Sequence, residues 1–292
     1  MVRNVIALIA ACLALLPLAN AAERSFVGAR EGVVYARKQQ KPNKPVKQKD
    51  LRVKKKGALS QQELREHVED YRTSRRITGI PMVDQKDRAY CVVATVQRHL
   101  KYYFPNNDVA LHRLANAMNA DRRKGTNVGY MVEVLEKYSN NLHLKCHILY
   151  NVQADDIVKK YNRRAPDSKK LKLRSGKVDY EEFEELIPRI DYKTWKSVRQ
   201  DEKSEKKKAW KYIRDNIDNG IPVAWSVWLG LTSEQGRKLK AGGHMRMIIG
   251  YDKKKEEIIY TDSWGNEHAR KKMDWDDAWA ITKIVMTMKP RR

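Results

Sequence analysis

Residues 85–104 decide the fold of this chain, and they read QKDRAYCVVATVQRHLKYYF. Apolar residues in this segment recur at the three- and four-residue spacing of a single helix face. They are Val92, Val93, Val96, Leu100 and Tyr103. The spacing predicts a buried helix over Cys91 to Phe104, with the cysteine in its first turn.

A cysteine at the start of a helix is a candidate nucleophile. The free N–H groups and the partial positive charge of a helix N-terminus stabilise a thiolate. A histidine beside the thiol lowers the thiol pKa further and can protonate the leaving amine of an attacked amide. Cys91 therefore points to a thiol enzyme, provided that a histidine elsewhere in the chain can reach it.

His244 is the best partner among the seven histidines. It follows Gly242-Gly243 and opens a predicted strand that extends to Tyr251. A turn and a second predicted strand, Glu256 to Asp262, follow, and Asp262 is the last residue of that strand. A hairpin of this length brings Asp262 beside His244, where a carboxylate can orient the imidazole and stabilise the imidazolium.

Gln85 is the fourth candidate, because it lies six residues before Cys91. A loop of that length can return the side-chain amide to the mouth of the helix. There the amide and the Cys91 backbone N–H can both donate to an oxyanion. The predicted catalytic set is therefore Cys91, His244, Asp262 and Gln85, with Trp264 as a packing residue that shields the His–Asp pair from water.

Together these motifs resemble the papain-like cysteine peptidases, and among them the C39-like family related to bacteriocin-processing peptidases. The resemblance is carried by Gln85, Cys91, a late Gly-His pair that opens a strand, and the run Asp262-Ser263-Trp264-Gly265. It spans roughly residues 78 to 285. It implies hydrolysis of a peptide or protein substrate without a metal or organic cofactor.

The order of predicted elements also indicates an α+β protein, because helices come first and strands later. The late strands are Ile221 to Leu229, His244 to Tyr251 and Glu256 to Asp262. Combined with the resemblance, this order predicts the papain-like cysteine peptidase fold. In that fold a helical half with the nucleophile helix packs on a twisted antiparallel sheet, and the site lies in the cleft between them.

Three alternatives stay open from the sequence. Cys146 alternates with Leu144 and Ile148 in a predicted strand, which favours a free core thiol, but a Cys91–Cys146 disulfide would exclude the enzyme. A catalytically silent papain-like module could bind an anionic cell-surface polymer. A thiol amidase or transferase acting on cell-wall peptides would use the same Cys–His pair.

Composition limits the class of protein. The chain has 292 residues and a formal net charge of +24, which favours anionic partners but does not indicate specific recognition of nucleic acid. It contains only three cysteines and no CxxC pair. These counts exclude a disulfide scaffold and argue against a structural zinc module.

The N-terminal part predicts export. Residues 1–21 have the charged start, apolar run and small-residue cleavage pattern of a signal peptide, so we expect a secreted or periplasmic protein. Lipoprotein anchoring at Cys12 is the minor alternative. No segment of the mature chain is long and apolar enough to span a membrane.

The mature chain is predicted to divide into two regions. Residues 22–77 form a basic, largely disordered arm with a short helix over Leu64 to Arg76. Ten basic residues and one acid lie in Arg37 to Lys56, which could bind an anionic cell-surface polymer. Residues 78–292 form the peptidase domain, which is interrupted at about 159–211 by an insertion of 18 basic and 10 acidic residues.

Overall fold

The computed structural model describes residues 48–54, 57–106, 109–123, 125–126 and 128–291. The predicted signal peptide, Cys12 and most of the basic stretch Arg37 to Lys56 lie outside these residues. Among the residues that are described, no helix combines the length and the apolar character needed to cross a bilayer.

Ten α-helices lie within the described residues. In chain order they are α1 (Gln61–Glu66), α2 (Cys91–Tyr103), α3 (Leu111–Ala117), α4 (Val128–Lys137), α5 (Ser139–Leu142), α6 (Ala154–Arg164), α7 (Tyr180–Leu186), α8 (Tyr192–Gln200), α9 (Lys203–Ile217) and α10 (Trp275–Ile281). The nucleophile helix predicted from Cys91 is α2, and it ends one residue earlier than expected.

Ten strands are also present in the described part of the chain. They are β1 (Val68–Asp70), β2 (Ser74–Ile77), β3 (Leu144–Asn151), β4 (Val223–Leu229), β5 (Ser233–Glu234), β6 (Arg237–Lys238), β7 (Gly242–Asp252), β8 (Glu257–Thr261), β9 (Lys271–Asp274) and β10 (Thr282–Pro290). Eight of them form one sheet in the order β1-β2-β7-β4-β10-β3, with β8 pairing with both β7 and β9. Strands β5 and β6 form a separate hairpin between β4 and β7.

The predicted α+β class is confirmed, and the three late strands are confirmed with it as β4, β7 and β8. All pairings in the large sheet are antiparallel. Strand β4 is buried along its whole length, and β7 is buried from His244 onward. Helix α2 packs directly against β7. This contact places the N-terminus of α2 beside the strand that begins near His244.

The predicted helix over Leu64 to Arg76 is wrong for all but its first three residues. Helix α1 ends at Glu66, and the following residues form the β1–β2 hairpin. Strand β2 then pairs with the end of β7, from Ser74 opposite Asp252 to Arg76 opposite Gly250. The hairpin forms in place of the helix because the backbone N–H and C=O groups of β2 pair with those of β7, which is already buried.

The folded part also starts before residue 78, which was the predicted domain boundary. Leu51, Val53, Leu64 and Ile77 are each no more than 2% exposed and belong to the main core. Their burial gives residues 48–77 a share in the hydrophobic stabilisation of the body. This part of the predicted arm is therefore packed on the peptidase domain.

The charged insertion is more than a surface feature. It contains most of α6, all of α7 and α8 and the first part of α9. Phe183 and Trp195 are fully buried and pack against Trp228 of β4 in a tilted and an edge-on contact, at centroid distances of 4.8 and 5.7 Å. These apolar residues thus attach the insertion to the sheet. Of its charged side chains, Arg199 and Glu182 are buried and the others are at least partly exposed.

Candidate active site

Cys91 is the first residue of α2, as the sequence predicts. Tyr90 is the N-cap, and the first intrahelical hydrogen bond runs from Ala94 N–H to the Tyr90 carbonyl (2.7 Å). The N–H groups of the first turn are therefore without intrahelical partners and face the start of the helix. The partly buried thiol of Cys91 lies in the positive field of this helix end.

His244 faces the Cys91 thiol on one side, where each group shifts the pKa of the other, and is hydrogen-bonded to Asp262 on the other. Its Nε2 lies 2.9 Å from Asp262 Oδ1, which leaves Nδ1 for the sulfur. The imidazole is 6% exposed. The three side chains form one continuous Cys–His–Asp series at the edge between α2 and β7.

The electrostatics of the pair favour a thiolate and an imidazolium. Burial alone raises the pKa of the Cys91 thiol, but the hydrogen bond and charge of His244 and the backbone N–H groups of Met245 and Val92 outweigh it and lower the pKa. Burial lowers the pKa of His244, but contacts with Asp262 and Cys91 raise it above the usual value. Each member of the pair stabilises the charged form of the other.

Asp262 is fully buried and stays ionised. Burial raises the pKa of its carboxyl, but the charge of Arg246, the hydrogen bond and charge of His244 and the charge of Lys271 hold it well below its usual range. Arg246 Nε donates to Oδ1 at 2.9 Å, and Lys271 Nζ lies 3.3 Å from Oδ2. The predicted third member is therefore a permanent anion in this site.

Gln85 is held in place from both ends of its amide. Ser263 Oγ donates to Gln85 Oε1 at 2.6 Å, and Gln85 Nε2 donates to the Arg88 carbonyl at 2.8 Å. The Gln85 backbone N–H also donates to the Ser263 carbonyl at 2.8 Å, which ties this loop to the segment after Asp262. An amide nitrogen carries two hydrogens, so one remains for a further acceptor.

Trp264 covers the imidazole of His244. The two rings stack with centroids 4.3 Å apart and an interplanar angle of 20°. An aromatic ring in this position excludes water from one face of the histidine. The shielding predicted for Trp264 agrees with this geometry.

Two buried arginines of the site were missed at the sequence level. Arg98 lies seven residues after Cys91 on the same face of α2, and its guanidinium donates to the Asp262 carbonyl (3.0 Å) and to Thr261 Oγ1 (2.9 Å). Arg246 lies two residues after His244, so it shares a face of β7. Charged residues at these spacings on apolar elements were the available signal.

A second charge layer lies behind Arg246. Its Nη2 donates to Glu234 Oε2 at 2.7 Å, and the Tyr260 hydroxyl donates to the same oxygen at 2.9 Å. Glu234 reaches this buried position from the β5–β6 hairpin. The β5–β6 hairpin, which precedes β7 in the chain, is thus connected to Asp262 through Arg246.

A cavity of about 980 Å³ opens beside the strand that leads to His244. Its walls are helix α7 and the segment Lys238 to Ala241, which ends three residues before the histidine. Glu184 of α7 lies so close to the backbone that a Cβ at Gly243 would be 2.7 Å from its Oε1. The glycine at this position allows helix α7 to approach strand β7.

Cys146 lies away from this constellation. It is 6% exposed in β3, and burial raises the pKa of its thiol to about 12. Cys91 and Cys146 are both free thiols, so the structure does not contain the alternative disulfide between them. The two cysteines therefore differ sharply in their environments.

The Cys146→Ala variant is expected to keep activity and lose a little stability. Removal of a buried sulfur of this size costs about 1–2 kcal/mol of the free energy of unfolding. Thermal or urea unfolding measures that loss, and turnover of a peptide substrate measures activity. A Cys146→Ala protein that is as stable as the wild type but inactive would show that Cys146, and not Cys91, carries the essential thiol.

A thiol at a helix start, an imidazole at a strand start and a buried carboxylate behind it define the arrangement of a papain-like cysteine peptidase. The comparisons agree, since the model of the peptidase C39-like family matches residues 77–285. The chain belongs to the peptidase C39-like family. The resemblance predicted from Gln85, Cys91, His244 and Asp262 is thereby confirmed.

Other comparisons add less. A search of the curated proteins gave no match. Among solved structures, the chain is similar to xylellain, a cysteine protease from Xylella fastidiosa, at 12% identity. That alignment covers 79% of this chain and 89% of xylellain, with a TM-score of 0.41.

Proposed function

We propose that this chain is an exported cysteine peptidase that hydrolyses peptide bonds with Cys91 as nucleophile, His244 as acid and base, and Asp262 as the third member of the triad. The observation that carries the proposal is the series of Cys91, His244 and the buried Asp262, in which His244 interacts with the thiol and is hydrogen-bonded to the carboxylate. Export rests on the sequence pattern of residues 1–21.

The chemistry follows from the charge state of the pair. The Cys91 thiolate attacks the scissile carbonyl carbon, and the His244 imidazolium gives its proton to the leaving amine as the C–N bond breaks. This leaves a thioester on Cys91 and a neutral imidazole. His244 then takes a proton from water, the resulting hydroxide equivalent attacks the thioester, and the thiolate is released with the carboxylic acid product.

The tetrahedral intermediate of each step carries an oxyanion. The Cys91 backbone N–H at the start of α2 and the second hydrogen of the Gln85 amide are the proposed donors to it. Ser263 and the Arg88 carbonyl fix the orientation of that amide before substrate binds. Donors that are held in advance need no reorganisation in the transition state, which makes them effective.

The Gln85→Ala variant is expected to lower kcat by about 10²-fold or more, because one oxyanion donor is lost. KM is expected to change little, since the donor acts mainly on the transition state. Steady-state kinetics on a peptide substrate separate the two parameters. An unchanged kcat would show that Gln85 does not act as an oxyanion donor.

The cavity beside Ala241 is the proposed place for a substrate side chain. It is contiguous with the strand that carries His244, and its walls present both carboxylates and ammonium groups. Cavities of this size take small ligands or side chains.

Substrate profiling tests the proposed reaction against its two rivals. The purified protein is incubated with a peptide library and, separately, with cell-wall peptides, and the products are identified by mass spectrometry. Cleavage of internal peptide bonds supports the peptidase. Reaction only with cell-wall peptides would favour the thiol amidase or transferase, and no product from either would favour the silent module.

A further inference from the structure

Asp262 contacts more positive charge than the orientation of His244 requires. Its Oδ1 accepts hydrogen bonds from His244 Nε2 and Arg246 Nε, both at 2.9 Å. Its Oδ2 lies 3.3 Å from Lys271 Nζ. The carboxylate therefore has a cation on each of its two oxygens besides the catalytic histidine.

The charge of Arg246 is shared with another anion. Its Nη2 donates to Glu234 Oε2 at 2.7 Å. Arg246, Glu234 and Asp262 are each less than 9% exposed. Arg246 and Glu234 thus offset each other within this buried layer. Lys271 is a further cation that acts, together with Arg246, on the charge of Asp262.

Lys271 touches the neighbours of His244 on two sides without touching the histidine. It is the first residue of β9, is 8% exposed and pairs with Tyr260 of β8. Its Nζ lies 5.4 Å from the centroid of the Trp264 ring, which is the ring that stacks on His244. Trp264 and Asp262 together hold the ammonium group close to the catalytic pair.

We propose that Lys271 is a positioning residue that offsets the charge of Asp262 and thereby sets the pH range in which the Cys91–His244 ion pair exists. The proposal rests on the proposed function, because it assigns a role to that ion pair. Lys271 fixes the second carboxylate oxygen, and its charge opposes the field that Asp262 exerts on the imidazole.

Other titratable or charged groups also face the pair or its carboxylate. They are Arg98 on α2, Glu234 on β5, Arg246 on β7, Tyr260 on β8 and His268 in the turn before β9. Glu184 and Lys283 lie against the backbone of Gly243, next to the histidine. These groups remain in place when only Lys271 is changed, so a comparison of variants isolates the charge of Lys271.

The sign of the effect follows from electrostatics. Removal of a cation raises the pKa of every nearby acid, whether thiol or imidazolium, because the protonated forms are the more positive ones. Without Lys271 the charge of Asp262 is offset less, so it stabilises the imidazolium more strongly and disfavours the thiolate. Both the acid and the alkaline limb of the kcat/KM profile therefore move to higher pH.

The test compares Lys271→Met with Lys272→Met. Lys272 is the next residue of β9, its side chain is 50% exposed, and it pairs only loosely with Glu257 at 3.8 Å. Both variants remove one lysine charge from the same strand. The rate of Cys91 alkylation by iodoacetamide is measured against pH, together with kcat/KM where a substrate is in hand, and Lys271→Arg serves as the charge-restoring variant.

We expect the midpoint for alkylation to rise by about half to one pH unit in Lys271→Met. Lys272→Met is expected to move it by less than about 0.2 unit, because an exposed charge is screened. Lys271→Arg should return the midpoint to the wild-type value. Lys271→Gln, which keeps a polar side chain, gives the same comparison if the Met variant is poorly folded.

Failure of this proposal is distinct from failure of the proposed function. If wild-type Cys91 reacts at low pH but the Lys271→Met and Lys272→Met profiles superimpose on it, Lys271 has no role in the ion pair and the peptidase assignment stands. A loss of activity at all pH values, with no shift of the pH profile, would mean that Lys271 has only a structural role. If wild-type Cys91 reacts only as an ordinary thiol, the ion pair itself is absent.

Discussion

The Cys91→Ala variant is expected to lose peptide-bond hydrolysis altogether, by a factor on the order of 10⁵ or more, while it keeps its fold. The loss is this large because alanine offers no nucleophile, and the remaining donors and His244 cannot form a covalent intermediate. The fold survives because Cys91 is only partly buried, at the start of α2. Turnover and thermal unfolding measured on the same preparation check both parts.

Cys146→Ala is the matched control for this variant. It removes the same atoms from a cysteine that lies in β3 and is not part of the Cys–His–Asp series. The pair of variants separates loss of a thiol from loss of the nucleophile. A folded Cys91→Ala protein with full turnover would overturn the proposed mechanism.

The Asp262→Ala variant is expected to show the second largest loss, roughly 10³–10⁴-fold in kcat/KM. Nothing then fixes the tautomer of His244 or stabilises its imidazolium. The change also leaves Arg246 and Lys271 without their shared anion in a buried site. Removing one partner of such a buried pair costs about 3–5 kcal/mol, so the unfolding temperature should fall as well.

The Asp262→Asn variant is expected to keep more activity than Asp262→Ala. An asparagine carbonyl can still accept from His244 Nε2, but its NH₂ group would meet the ammonium of Lys271. Loss of the anion lowers the pKa of His244, because Asp262 raises it in the wild type. The alkaline limb of the kcat/KM profile should therefore move to lower pH, opposite to the shift expected for Lys271→Met.

These profiles are recorded for the wild type, Asp262→Ala and Asp262→Asn under the same conditions. Circular dichroism of each protein shows whether a loss of activity reflects unfolding. Three profiles that superimpose would place Asp262 outside the active site, and the histidine would need another partner.

Local sequence patterns were enough to predict the elements that carry Cys91, His244 and Asp262. The apolar spacing after Cys91 predicted α2, because a 3.6-residue period depends only on the segment itself. The hairpin from His244 to Asp262 was predicted because two short strands with turn residues between them pair antiparallel. Gln85 followed from its distance to Cys91 along the chain.

The ionic environment of the triad could not be predicted in the same way. Arg246 and Lys271 meet Asp262 because β8 lies between β7 and β9, and neither spacing nor composition gives that order of strands. Glu234 comes from a separate hairpin. Such contacts depend on how distant segments pack, whereas a single sequence gives only which residues share a face.

The β1–β2 hairpin was missed for a related reason. Residues 68–77 carry little apolar periodicity, and four of their charged side chains form surface ion pairs or hydrogen bonds. Their strand conformation comes from pairing with the end of β7. Tertiary pairing of this kind overrides weak local propensity.

The most direct test of the thiolate–imidazolium pair is alkylation of the wild-type protein by iodoacetamide at about pH 6, with the modified residue located by peptide mass mapping. An ordinary thiol has a pKa near 8.5 and is almost fully protonated at that pH, whereas a thiolate paired with an imidazolium reacts. We expect rapid modification of Cys91 and none of Cys146, whose pKa burial raises to about 12. A Cys91 that stays unmodified at pH 6 and reacts only near pH 8 and above would contradict the account.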